Sequence, residues 1–194
     1  MRILILAFAL LAGTLPAAAR NVRSADGMAP AEAAAGFFAP DARWQTCFTP
    51  GADCTGAIVA SIDAARTTIR LQAYEFTSPP IRAAIVAAQA RGVDVRAILD
   101  RSQARPDRGT AALLAEAGIP VLIDARPAIA HNKVMVIDGD TVITGSFNFT
   151  RAAQARNAEN VLIVRGDVAL AAAYAEYWQR RESRSVALSD RRGD

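Results

Sequence analysis

Between Ala130 and Thr150 the chain reads AHNKVMVIDGDTVITGSFNFT, a stretch that holds its sole histidine, His131, and its sole lysine, Lys133. The other 21 of its 22 basic residues are arginines. Near neutral pH an imidazole acts as nucleophile or base and an imidazolium as acid. Lysine brings a compact point charge where arginine brings a planar fork, so its use at this one place is informative. Ser146 and Asn148, a few residues on, add neutral hydrogen-bond donors. Together these groups form a cradle for a tetrahedral phosphoryl group with a nucleophile aimed at phosphorus. No acidic cluster of the metal-binding kind accompanies them. The positive charge is therefore expected from the protein, with no metal or other cofactor.

For this chemistry the side chains must converge, and strand periodicity offers a way. Residues two apart on a strand share a face, which joins His131 with Lys133 and Ser146 with Asn148. Lys133–Ile137 and Thr141–Thr144 are apolar runs around Asp138-Gly139-Asp140, a hairpin signal. With Asp138 and Gly139 as the two central turn residues, Ile137 pairs with Asp140, Lys133 faces Thr144 and His131 faces Ser146. A slip of one residue would scatter that set.

Upstream, helical and strand patterns alternate. Thr55 caps a helix to about Arg66, Thr68–Tyr74 alternates as a strand, and Ser78-Pro79-Pro80 opens a helix that Gly92 ends. Val93–Leu99 is a second strand. A polar loop, Asp100 to Gly109, then leads to a helix stopped by Gly118, and Val121–Asp124 is a short strand. Beyond the hairpin come a strand at Val161–Arg165 and a helix from Val168 to about Arg181. This rhythm predicts an α/β fold with a mixed, largely parallel β-sheet flanked by helices on both faces.

Length and composition fit one domain. Hydrophobic residues are 52% and charged residues 21% of the chain, enough for a sizeable core and too apolar for wholesale disorder. The net charge of +3 permits an anionic substrate without arguing for one. MRILILAFALLAGTLPAAAR has the positive start, short apolar run and small-residue site of a secretory signal peptide, with cleavage expected after Ala19. Residues 20–43 read as a flexible leader, 44–185 as the catalytic domain and 186–194 as a tail. The mature protein is then periplasmic or secreted and has no stable membrane anchor. In an oxidising compartment Cys47 and Cys54, flanking the turn signal Pro50-Gly51, form a disulfide by default.

His131-x-Lys133, four residues, Asp138, six residues and Gly145-Ser146-x-Asn148 resemble the HKD signature of the phospholipase D superfamily, matched without a gap at six specified positions. The segments QAYEFTSPPI, RGVDVRAILD, GSFNFTRAAQARNAEN and YAEYWQRR extend the likeness, over about Thr46 to Arg181, to the small bacterial Nuc-type endonucleases of that superfamily. The resemblance implies a phospholipase D/nuclease-like fold. It implies that His131 attacks phosphorus to give a covalent phosphohistidine, and that Lys133, Ser146 and Asn148 hold the phosphoryl oxygens. It also makes Glu159 a carboxylate that hydrogen-bonds the nucleophilic histidine, although Glu159 reads equally as a solvated strand residue. Asp138 belongs to the signature and counts with the catalytic set, yet its place at a turn suggests a mainly structural part.

The family's chemistry uses two histidines, one as nucleophile and one as general acid. A chain with one histidine and no internal repeat is expected to work as a homodimer with a shared site. Arg101, Arg105 and Arg108 in the polar loop, with Arg151 and Arg156 after the motif, would clamp neighbouring phosphates of a nucleic acid or else stand as ordinary solvated arginines. Phe147 and Phe149 read as core anchors. The leading expectation is an exported, metal-independent endonuclease acting on DNA or RNA. A phospholipase D acting on phosphatidyl headgroups or cardiolipin is the alternative, and a non-enzymatic phosphate-binding protein the weaker one.

Overall fold

A computed structural model describes residues 34–104 and 109–191. The expected signal sequence, the first part of the leader (20–33), Arg105, Arg108 and residues 192–194 lie outside the described residues. The strands are β1 (Arg43–Thr49), β2 (Thr68–Ala73), β3 (Asp94–Asp100), β4 (Val121–Asp124), β5 (Lys133–Ile137), β6 (Thr141–Gly145), β7 (Glu159–Arg165) and β8 (Val186–Ala187). The helices are α1 (Cys54–Asp63), α2 (Pro79–Ala90), α3 (Gly109–Glu116), α4 (Arg151–Ala155) and α5 (Val168–Glu182).

All eight strands form one sheet in the order β1-β7-β6-β5-β2-β3-β4-β8. Pairing is parallel at β2–β3 and β3–β4. It is antiparallel at the other five joins. The α/β class with a mixed sheet stands as expected, with a narrower parallel part than the alternating rhythm suggested, because the chain from β5 onward pairs by hairpin and meander. β1 has no counterpart among the strands read from the sequence. β8 falls in the segment read as a tail.

Burial explains the layers. On β5, Met135 and Ile137 face a large core built with Ile58, Ile62, Ile85 and Leu99, beneath α1, α2 and α3. Their neighbours Val134 and Val136 face the other way and pack with Val142 and Ala171 under α5. A strand buried on both faces is apolar throughout, which is why VMVI shows no alternation. α1 is capped by Asp53, whose carboxylate accepts from the Gly56 N–H, rather than by Thr55. α2 takes Ser78 as its N-cap residue and Pro79 in its first turn, where a missing N–H costs nothing. Cys47 and Cys54 form a disulfide between the end of β1 and the start of α1. At the other edge Arg181 grips the buried Asp124 with two hydrogen bonds, Nε to Oδ2 at 2.7 Å and Nη2 to Oδ1 at 2.8 Å, which fixes the end of α5 against β4. Among the described residues no helix is long and apolar enough to cross a membrane.

Candidate active site

The end of β2, the start of β5, the end of β6 and the start of β7 meet at one end of the sheet, since β5 and β7 run antiparallel to their partners there. His131 sits just ahead of β5, exposed, with its ring tilted at 57° against that of Tyr74 and the centroids 4.7 Å apart. The backbone beneath it is pinned twice. Asn132 O accepts from Tyr74 N–H at 2.9 Å. The buried Asp100, at the end of β3, accepts from Ala130 N–H at 2.7 Å.

Lys133 is buried, pairs with Ala73 across the ladder, and lies with its Nζ 5.2 Å from the centre of the Tyr74 ring. Its ammonium donates to His131 O at 3.0 Å. Burial lowers its pKa from the usual lysine value, partly offset by the carboxylates of Glu159 and Glu75. An anionic phosphoryl group placed there would replace the lost solvation of this cation.

The hairpin register differs from the expected one. Asp138 and Gly139 are the central turn residues as expected, with Asp140 N–H donating to Ile137 O at 3.2 Å, but the ladder then pairs Ile137 with Thr141 and leaves Asp140 as an extra residue in the turn. Asp138 adopts φ 53° and Gly139 φ 73°, left-handed geometry that Asp tolerates and Gly favours. The slip of one residue does not scatter the set, because the backbone is re-aimed at Gly145. Its φ is 149°, and a Cβ there would stand 2.2 Å from Asn160 O. The N–H groups of both Ser146 and Phe147 donate to that same carbonyl, at 3.1 and 3.3 Å. This doubled contact is a bulge, and it swings Ser146 toward β7.

There Ser146 Oγ donates to Glu159 Oε2 at 2.5 Å and accepts from Asn160 N–H at 3.1 Å. Its one proton is thus committed to Glu159, and phosphate donation would need the hydroxyl to turn. The other oxygen of Glu159 accepts from Asn157 Nδ2 at 2.8 Å. No bond joins Glu159 to His131 within the chain. Asn148 belongs to the segment held at Phe149 by Glu75 O, and its Oδ1 is buried without a partner. Phe147 and Phe149 are core residues.

Asp138 stands at the far end of β5, four residue steps past its start plus the turn, roughly 17 Å from Lys133 at strand rise. Its carboxylate accepts from the N–H groups of Arg66 (2.9 Å), Thr67 (2.8 Å) and Thr68 (3.0 Å) and from the Thr67 hydroxyl (2.9 Å). Burial alone would raise its pKa, and these bonds outweigh burial and lower it. Asp138 therefore does not join the catalytic cluster; it ties the hairpin turn to the chain entering β2. Arg101 is likewise committed elsewhere, donating to Ala128 O at 2.8 Å. Arg151 and Arg156 are exposed at the two ends of α4. Tyr74, Asp100, Asn157 and Asn160 were not singled out from sequence. Only Asp100 carried a signal there, as an acid closing an apolar strand.

Among the described residues no three or more His, Cys, Asp or Glu side chains cluster as a metal site would require. An exposed imidazole, a desolvated ammonium and an uncommitted amide at the end of an α/β sheet suit attack on a phosphodiester. Comparison with known proteins agrees. A family model described as cardiolipin synthase, PLD-like domain, matches residues 58–181. A protein named phospholipase D from Rickettsia bellii (strain RML369-C) is 49% identical over 140 residues, 72% of this chain and 69% of that one. The crystal structure of the phospholipase D family member Nuc from Salmonella typhimurium superposes with a TM-score of 0.71 at 38% identity, over 76% of this chain and 98% of that one. Human mitochondrial cardiolipin hydrolase is 34% identical over 117 residues, 60% of this chain and 46% of that one. Fold and site together define a phosphodiesterase. The chain belongs to the phospholipase D superfamily.

Proposed function

We propose that this protein is an exported, metal-independent endonuclease that hydrolyses DNA or RNA through a phosphohistidine in a site shared by two subunits. The observation that carries the nucleic-acid reading is the likeness to Nuc over nearly all of that smaller chain. The exposed arginines Arg151 and Arg156 beside the motif support it, as phosphate contacts along a polymer.

In the proposed reaction a ring nitrogen of one His131 attacks phosphorus and the P–O ester bond breaks. The leaving oxygen takes a proton from the imidazolium of the other subunit. Water then attacks the phosphohistidine and yields its proton to that second imidazole, and the P–N bond breaks, returning both rings to their starting state. Lys133 and Asn148 hold the non-bridging oxygens. Glu159, which reaches no histidine in its own chain, orients the imidazole supplied across the dimer.

Two features support a second subunit. The chain has one histidine for a two-histidine reaction. The edge strand β1 also leaves Phe48, next to the site, 60% exposed and Trp44, farther along the same strand, 68% exposed, and aromatic surface of that kind is enriched at interfaces.

A phospholipase D acting on phosphatidyl esters is the second reading. It is favoured by the relatives named phospholipase D and cardiolipin hydrolase, and by Ile129, exposed two residues before His131 as an apolar rim. The test is incubation of the purified protein in EDTA with plasmid DNA, with RNA, and with phosphatidylcholine or cardiolipin vesicles. Nicked or degraded nucleic acid is expected. Phosphatidic acid release with intact DNA would replace this reading by the second, and silence on all substrates would sink both.

A further inference from the structure

A groove of about 610 Å³ opens where α1, α2 and α4 begin. Its floor is apolar, formed by Val59 with Pro79 and Pro80. Its wall is held rigid by the fold: Gln154 accepts from Thr55 N–H at 2.8 Å and donates to Ala52 O at 2.9 Å. Two polar groups in it serve no structural partner. Ser78 is only 2% exposed, yet its hydroxyl makes no capping bond to α2 although it lines the groove. The Arg151 guanidinium, at the rim, makes no hydrogen bond or ion pair with any described residue.

The groove adjoins the catalytic cluster through two short backbone segments. One runs from Tyr74, against the His131 ring, to Ser78, and four residues span at most about 14 Å. The other runs from Asn148 to Arg151, at most about 11 Å. They are stitched together where Phe149 O accepts from the N–H groups of Thr77 (2.9 Å) and Ser78 (2.8 Å). A group seated in the groove therefore lies within about 14 Å of the catalytic cluster, close enough for a nucleotide neighbouring the attacked phosphate to enter it.

We propose that this groove is a nucleoside subsite, seating the base next to the scissile phosphate, with Ser78 Oγ on the base edge and Arg151 on the neighbouring phosphate; it rests on the nucleic-acid reading above. A base presents flat apolar faces with polar edges, which fits an apolar floor carrying one hydroxyl that caps no helix and opens into the groove. An acyl chain would cover that hydroxyl with hydrocarbon and leave it without a partner. Arg151 is at the rim, where a phosphate would stay partly hydrated.

The test compares cleavage of a thymidine hexanucleotide with that of the same hexamer built wholly on abasic linkers, which keeps every phosphate and removes every base. The wild-type protein is expected to show kcat/KM about tenfold higher on the base-containing oligomer. Val59→Trp, which fills the floor, should erase that preference by raising KM on the thymidine oligomer while leaving the abasic rate within about twofold. Ser78→Ala, a smaller change, should cut the preference severalfold, so a misfolded Val59→Trp variant would not leave the idea without a test. Arg151→Gln should weaken both oligomers alike. Equal wild-type rates on the two oligomers, or an undiminished preference in Ser78→Ala, overturns the subsite. A wild-type protein that hydrolyses bis(4-nitrophenyl) phosphate but neither oligomer overturns the nuclease reading itself, a separate result.

Discussion

The β5–β6 hairpin has two ends with opposite polar economies. At the turn, the Asp138 carboxylate accepts four hydrogen bonds from Arg66, Thr67 and Thr68, and both left-handed residues have the types that tolerate the geometry. At the other end the His131 imidazole is exposed, Asn148 Oδ1 is buried without a partner, and Lys133 carries a charge that burial disfavours. One end is satisfied and holds the fold together. The other is left unsatisfied: a phosphate would pair with its ammonium and accept from its imidazole and from Asn148 Nδ2, although it would not bond Asn148 Oδ1, itself an acceptor. Unspent hydrogen-bonding capacity in a native protein is costly, so its concentration at one end marks where a ligand belongs.

That contrast can be broken by substitution. The largest effect is expected at His131: His131→Asn should lose turnover on every substrate while Tm stays within about 2 °C, as measured by steady-state rates and thermal unfolding. Near-native activity in that variant would end the covalent scheme. Mixing wild-type and His131→Asn subunits sharpens the point. If two imidazoles serve one site, equal mixing leaves about a quarter of the activity, whereas independent chains would leave about half. Next comes Lys133→Met, for which kcat/KM should fall about 10²–10³-fold. Tm should hold or rise, because an apolar side chain removes a desolvated charge from a buried place.

Asp138→Asn should do the reverse. Stability is expected to fall by about 1–3 kcal/mol while activity per folded molecule changes little. The lowered pKa of Asp138 means that its contribution is present above the unfolded carboxylate value, near 4, and is lost as pH falls through the folded value. The stability gap between wild type and Asp138→Asn should therefore close below about pH 4 in chemical denaturation. An activity loss in Asp138→Asn as large as that in Lys133→Met would erase the distinction between the two ends. The smallest effect belongs to Arg101→Gln. Its guanidinium already bonds Ala128 O, so the salt dependence of DNA cleavage should barely move, while Arg151→Gln should flatten it.

The residues that gather at the site were legible because the chemistry needs particular side-chain types at set intervals along two strands. Their mutual register was not. A two-residue and a three-residue turn read alike in Asp-Gly-Asp: the left-handed pair Asp138-Gly139 suits the shorter one, and only the pairing of Ile137 with Thr141 reveals the extra residue. The convergence survives the slip because Gly145 permits a bulge, a compensation set by Asn160, fifteen residues away in sequence. β1 escaped notice because an edge strand with Trp44 and Phe48 on an open face lacks the polar-out alternation that marks a strand. The parallel character was overread because helix spacing upstream says nothing of the meander downstream.

Residue identity and interval, which are properties of the chain, were enough to point to the family and to single out His131 and Lys133, since covalent neighbours keep their spacing in any fold. Which hydroxyl meets Glu159, that Asp138 serves the turn and not the phosphorus, and that Ser78 opens onto a groove were decided by packing. Those relations join segments tens of residues apart, and a short change in a turn or one glycine alters them without altering the motif.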